Sequence, residues 1–341
     1  MRRFQVCPVE FLTARIGVDG CDSKRRFLVL FLILIFLPTN ARPQQLSAPS
    51  KLKPDPYTIK IDVSMVVLHA TVENHRGVPV SGLSQTDFQV YEDGVPQEIK
   101  YFSHEDIPVT AGLVIDNSGS MGPKSREVIE AALAFAHSSN PQDQMFEVSF
   151  NEHVRFGLPA NTQFTDQRSE LEAALSRYNP DGETALYDAL AAALEHLKKG
   201  NRDKKVLILV SDGADNASKH RLTEIEVAAG QSNTIIYAIG LYDRDDPDRN
   251  PGVLKKLARA TGGECFLPES ITEIVPICER IAHDIRNQYT LAYIPTNGRQ
   301  DGTHRVVQVK AESPGRAGLV VRTRSGYDAP KNAQATASSR P

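Results

Sequence analysis

The sequence predicts an α/β fold, a doubly wound and mostly parallel sheet flanked by helices, inserted between two β segments. Three observations carry this. Between residues 107 and 288, apolar β-branched runs alternate with stretches of helical period, the pattern of a parallel sheet with crossover helices. One of those runs, Val206-Leu207-Ile208-Leu209-Val210, has no polar alternation, as a strand covered on both faces requires. The stretches on either side, 57–106 and 289–328, alternate like strands and carry turn signals instead of helical period.

In chain order, Lys24, Arg25 and Arg26 precede an unbroken apolar run, 27–37. Eleven residues of helix reach roughly 16 Å, about half the hydrocarbon core of a bilayer, which suits the core of a secretory leader. Thr39-Asn40-Ala41 has small residues at its first and third places, so cleavage is expected after Ala41. The mature chain is then secreted or periplasmic. The alternative is an uncleaved N-terminal membrane anchor. Residues 42–56, rich in Pro, Ser and Lys, read as a flexible linker.

The first β segment, 57–106, places Ile59, Ile61, Val63 and Met65 on one strand face. Val67 continues that face, and the strand ends or bulges at Ala70 and Val72. Residues 87–94 read as a strand entering the Asp93-Gly94 turn, with 99–102 as the returning strand. Strands of the α/β region are expected at 109–115, 146–150, 206–210 and 234–239. Helices are expected at 124–139, 166–178, 185–199, 222–232, 252–261 and 271–288. The second β segment holds strands at 289–294, 305–311 and 319–323, and 329–341 reads as a disordered tail. Neither β segment has enough strands to bury a core alone. The economical solution is one β-sandwich built from both; the alternative is two small sheets packed separately on the central domain.

Formal net charge is −3, and loss of 1–41 would make it −6. No basic block remains to neutralise phosphates, so nucleic acid is not an expected partner. Of four cysteines, Cys7 and Cys21 fall in the leader. Cys265 and Cys278 are a candidate disulfide in an exported chain, or else two free thiols, one on a strand and one on a helix. The absence of any Cys-x-x-Cys pair leaves zinc and thioredoxin-type chemistry unsupported.

The chemistry concentrates where the run 112–115 breaks into Asp116-Asn117-Ser118-Gly119-Ser120. One carboxylate and two hydroxyls at alternate positions, on a loop after a buried strand, are hard oxygen donors suited to Mg²⁺ or Mn²⁺. Hydroxyls bring oxygen without charge, so the ion stays electrophilic toward a carboxylate from another molecule. Two further donors fall where the fold delivers them: Asp212, after the buried strand, and Thr184, in the Asp181-Gly182-Glu183-Thr184 loop before a helix. Each residue also has a bland reading, as turn former or helix cap.

Taken together, Asp116-x-Ser118-x-Ser120, then Thr184, then Ser211-Asp212-Gly213 resembles the metal-ion-dependent adhesion site of von Willebrand factor type A domains, over about half the chain. The flanks, Ser81-Gly82-Leu83, the 87–94 strand, Tyr289 to Pro295 and Arg324-Ser325-Gly326-Tyr327, resemble exported von Willebrand factor A-related proteins of acidobacterial type. The resemblance implies a binding or adhesion module that engages Asp or Glu of a protein partner through the metal. It also implies that the last helix, 271–288, shifts as the metal changes ligands. The alternative is a structural envelope protein in which the metal staples the fold and the sandwich makes the contacts.

Asp243, Asp245, Asp246 and Asp248 form an acidic run on the same rim, either a solvated loop or a second cation site for Ca²⁺, without the spacing of an EF-hand. No catalytic residue is assigned. The sequence has no Gly-x-Ser-x-Gly elbow, His-Glu-x-x-His, Walker loop or Gly-x-Gly-x-x-Gly, and no evident general base sits near the metal motif, so an enzyme is not expected. Membrane contact is expected only if the leader stays attached.

Overall fold

The computed structural model describes residues 65–242 and 249–331. The leader with Cys7 and Cys21, the linker, the strand start at 57–64, the run Asp243, Asp245, Asp246 and Asp248, and the tail from 332 lie outside the described residues.

The chain opens with β1 (Val66–Glu73), β2 (Phe88–Glu92), β3 (Val95–Gln97) and β4 (Ile99–Ser103). The α/β region follows: β5 (Val109–Asp116), α1 (Ser125–Ser138), β6 (Gln144–Phe150), β7 (Val154–Phe156), α2 (Arg168–Leu175), α3 (Leu186–Leu197), β8 (Lys204–Ser211), α4 (Leu222–Ser232), β9 (Thr234–Gly240), α5 (Pro251–Thr261), β10 (Cys265–Phe266) and α6 (Ile274–Arg286). It closes with β11 (Tyr289–Tyr293), β12 (His304–Ala311), β13 (Val320–Arg322) and β14 (Gly326–Asp328).

A six-stranded sheet, in the order β10-β9-β8-β5-β6-β7, forms the centre. All its pairings are parallel except β6–β7. Every residue of β5 and β9 is buried, because helices cover both faces. On one face, Leu113, Ile115 and Ile208 meet Val128 and Phe135 of α1 and Ile281 of α6. On the other, Val114, Leu207 and Leu209 meet Leu190 and Leu194 of α3, Ile225 of α4 and Leu254 of α5. Gly112 leaves room for that second face: a Cβ there would stand 2.4 Å from the Phe146 ring. Helix α5 shows how local chemistry sets an element's ends. Asn250 caps it by accepting from the Val253 N–H at 3.3 Å, Pro251 opens it, and Gly262 closes it at φ 82°.

The flanking strands form two four-stranded antiparallel sheets, β13-β1-β11-β4 and β14-β12-β2-β3. Each sheet mixes strands from before and after the α/β region. They share one apolar cluster that includes Leu68, Val72, Phe88, Val90, Tyr289, Leu291, Val307 and Val309, so they face each other as a sandwich.

Two expectations need correction, and the open choice for the cysteines resolves. The core face of β1 is Val66, Leu68, Ala70 and Val72, not the Met65 and Val67 face, and the strand runs on to Glu73 without ending at Ala70. The expected face is out of phase by one residue, and with a period of two that exchanges the inward and outward sets. The strand that returns from the Asp93-Gly94 turn is β3; β4 crosses over and pairs with β11 in the other sheet. Cys265 and Cys278 carry free thiols. Cys278 packs with α1 and α6 on one face of the central sheet, whereas Cys265 packs against the opposite face, so the sheet lies between them. Two short edge strands, β7 and β10, were not anticipated.

An ionic network ties the sandwich to the α/β region. Arg322, at the end of β13, donates to Glu264 at 2.5 Å, Asp284 of α6 at 3.0 Å and Glu73 of β1 at 3.4 Å. Arg280 of α6 donates to Glu264 at 3.2 Å and Glu73 at 3.4 Å. The three carboxylates lie within 4.8 Å of one another, a spacing that would suit a cation, and the two guanidinium groups supply two of the three balancing charges. Beside the network, Gln288 donates to Thr71 at 3.1 Å and to the Tyr237 hydroxyl at 3.2 Å.

Candidate metal centre

Three segments converge beyond the carboxyl ends of β5 and β8, the place where parallel sheets bind ligands. The first leaves β5 at Asp116 and tightens into a 3₁₀ turn, Gly119–Lys124, that leads into α1. The second, 181–184, lies against it: the Gly119 N–H donates to Gly182 O at 3.1 Å, and the Asp181 N–H to Asn117 O at 2.9 Å. The third follows Ser211, and its Asn216 side chain accepts from the Thr184 N–H at 2.8 Å. Within that third segment Gly213 has φ 83°, and a Cβ on it would meet Asn250 O at 2.4 Å. Only glycine fits that position, which accounts for Ser-Asp-Gly at the end of a buried strand.

Asp116, Ser118, Thr184 and Asp212 are buried, while Ser120 is exposed at the mouth. Asp116 Oδ1 accepts from the Ser118 N–H at 3.0 Å, and Oδ2 from the Ser211 hydroxyl at 2.6 Å. Ser118 Oγ lies 3.2 Å from Ser120 Oγ, and Ser120 Oγ donates to Asp212 Oδ2 at 2.7 Å. Asp212 Oδ1 accepts from the Ala214 N–H at 2.9 Å. Burial pushes the Asp116 carboxyl up to about 6 against the pull of Ser118 and Ser211, and the charge of Asp212 adds to the rise. Among the described residues neither Asp116 nor Asp212 has an ion-pair partner, and a pair of buried carboxylates in that state is what an added cation relieves.

Of the five residues the sequence singles out, Asp116, Ser118, Ser120 and Asp212 form one hydrogen-bonded set, and Thr184 sits on the neighbouring segment. The donors also fit the ion. Octahedral oxygens at about 2.1 Å from Mg²⁺ stand about 3.0 Å apart, and the Ser118–Ser120 and Ser120–Asp212 separations are 3.2 and 2.7 Å. Asp116, Ser118, Ser120, Thr184 and Asp212 are the residues that would hold it. The sequence reading missed three supports. Ser211 orients Asp116, Asn216 orients Thr184, and the Tyr178 hydroxyl donates to Asp116 O at 2.5 Å. Ser211 stood next to a chosen residue; nothing local marked Tyr178 or Asn216, whose partners are distant in sequence.

The family model described as von Willebrand factor type A domain matches residues 112–276. Those residues are a von Willebrand factor type A domain. The match begins within β5 and ends within α6, so it contains all five candidate ligands and excludes both sheets of the sandwich. A von Willebrand factor type A structure from Catenulispora acidiphila is similar at 16% identity and TM-score 0.49, covering 75% of this chain and 76% of that one. Manganese-loaded TRAP protein of Plasmodium vivax is similar at 17% identity and TM-score 0.43, covering 70% and 98%. The conserved hypothetical protein BatB of Bacteroides thetaiotaomicron is similar at 16% identity and TM-score 0.42, covering 52% and 98%. Comparison with curated proteins finds no match.

Proposed function

We propose that this protein is an exported, non-enzymatic binding module whose von Willebrand factor A domain holds Mg²⁺ or Mn²⁺ and engages a carboxylate of a protein partner through it. The observation that supports this most is the continuous run of oxygen donors from Ser118 through Ser120 to Asp212, with Asp116 buried behind it. Asp116 and Asp212 bring the charge, Ser118 and Ser120 bring neutral oxygens, and Thr184 is the ligand best placed to change with conformation. Some of the five residues would bind directly and others through water, and the hydroxyls bring no charge, so the ion would keep its attraction for one further carboxylate. Residence outside the cytoplasm after loss of the leader belongs to the same reading.

Calorimetric titration of Mg²⁺ and Mn²⁺ into the protein and into Asp116→Ala tests it. Saturable binding to the parent that disappears in the variant, with metal-dependent capture of an Asp- or Glu-bearing partner, is the expected result. Absence of binding by the folded parent refutes the metal site. Metal binding that raises the melting temperature but leaves partner capture unchanged by Asp116→Ala refutes the adhesion role and assigns the ion to fold stability.

A further inference from the structure

The sandwich contains a second concave site, made from residues the metal centre does not use. It is a cavity of about 330 Å³ whose walls include Met65, Ile294, Pro295 and Tyr327, with Arg299 and Arg324. That volume lies at the lower end of the range of small-molecule sites. Met65 and Ile294 are 46% and 41% exposed, so two large apolar side chains stand partly open at the cavity. Tyr327 is fixed: its hydroxyl donates to the buried Glu92 at 2.8 Å, which leaves its ring to form wall.

Arg324 is the unusual member. Its guanidinium lies over the Tyr327 ring at 5.4 Å, and its Nε is buried without a hydrogen-bond partner. Burial lowers its pKa, and only Tyr293 and Tyr327 act in the other direction. The neighbouring arginines are compensated by carboxylates: Arg305 by Asp301 at 3.1 Å, Arg322 by Glu73, Glu264 and Asp284. Among the described residues Arg324 makes no such ion pair. The one carboxylate on the cavity wall, Asp328, is 2.9 Å from His304. A desolvated guanidinium without a counter-charge is costly. Carboxylate and phosphate both match the guanidinium fork, and the apolar wall favours an anion with an apolar body, which inorganic phosphate lacks.

We propose that this cavity binds a small monocarboxylate with an apolar body, the carboxylate on Arg324 and the body against Met65, Ile294 and Pro295. The side chain of Arg299 adds positive charge at the same site. The proposal is independent of the metal centre.

The test is calorimetric titration of octanoate into the full-length protein in EDTA, below the concentration at which octanoate self-associates. Octan-1-ol and inorganic phosphate serve as comparators, and Arg324→Gln, Ile294→Glu and Asp116→Ala as variants. The expected result is saturable octanoate binding, equal in the parent and in Asp116→Ala. Arg324→Gln should weaken it at least tenfold, and Ile294→Glu, at a half-exposed position where folding is not at stake, should weaken it comparably. No octanoate binding by the parent overturns the proposal. So does octanol binding as tightly as octanoate, phosphate binding as tightly as octanoate, or octanoate binding that neither cavity variant changes.

Discussion

Replacing Arg322 with Met would expose how strongly the sandwich and the von Willebrand factor A domain are joined. Arg322 is the sole ion-pair partner of Asp284 among the described residues, and the Asp284 side chain is fully buried. Removing one member of a buried pair costs about 3–5 kcal/mol, because the other charge stays desolvated. Here the Arg322 side chain is 18% exposed and Arg280 still serves Glu73 and Glu264, so the lower end of that range, about 3 kcal/mol, is expected. Asp284→Asn keeps the shape and leaves Arg322 two carboxylates, so about 1–2 kcal/mol is expected, near the value of a charged hydrogen bond. The double variant should cost at least about 1 kcal/mol less than the sum of the singles, since the two residues are in contact. Urea unfolding at pH 7 measures all three. Additive losses, or a loss under 1 kcal/mol for Arg322→Met, would refute the reasoning and reduce the network to a surface decoration.

Three further outcomes follow from the buried groups. Glu147 on β6 is 2% exposed with Oε2 unpartnered, and burial pushes its carboxyl up to about 7. The folded state therefore holds a proton that the unfolded chain loses above about 4.5, and stability falls as pH rises from there through about 7. Glu147→Gln should gain on the order of 3 kcal/mol over the parent at pH 8 and nothing at pH 4; parallel pH profiles would sink the assignment. Cys278 is pushed up to about 12 and Cys265 to about 11 by burial, so alkylation of the native protein at pH 7.5 should leave Cys278 unmodified. Unfolding without reductant should then expose both thiols, and a cross-linked 265–278 peptide in the digest would contradict the structure. Gly213→Ala should cost about 2 kcal/mol or more through its positive φ and its clash with Asn250 O, and should weaken Mg²⁺ binding by displacing Asp212; unchanged Mg²⁺ affinity would show that the turn does not aim Asp212.

The central sheet was legible because β5 and β8 are long apolar runs, and burial on both faces leaves few other readings for such a run. The candidate ligands were legible because hard oxygens interrupt one such run at its carboxyl end. What stayed hidden depends on contacts that sequence spacing does not encode. β7 and β10, of three and two residues, are too short to show a period. β4 looked like the partner of β2 because it follows the Asp93-Gly94 turn at hairpin distance, yet β3 takes that place and only Glu98 separates it from β4 in the opposite sheet. The phase of β1 was lost because it was carried forward from Ile59, Ile61, Val63 and Met65, which precede the strand, although within β1 the alternate positions His69, Thr71 and Glu73 are polar. Tyr178 and Asn216 shape the candidate site through partners 62 and 32 residues away.

The way the α/β region is inserted constrains how any event at the candidate metal site could travel. Its two ends enter the same sheet side by side: Ser103 of β4 pairs with Thr290 of β11. Helix α6 ends at Arg286 and β11 begins at Tyr289, so only Asn287 and Gln288 lie between them. Two extended residues span at most about 7 Å, and here both are already engaged. Asn287 O is 3.1 Å from the His104 ring, and the Gln288 side chain is held by Thr71 and Tyr237. A one-turn slide of α6, about 5.4 Å, would therefore have to break those bonds, pull Asp284 away from Arg322, and shift β11 against both β1 and β4. Loss of the β1 register alone would turn Leu291 out of the core, because a one-residue slip inverts the strand. The helix shift that the resemblance implies is thus opposed in this chain by the sheet into which α6 runs. Smaller motions, which keep β11 in register, are those the architecture permits.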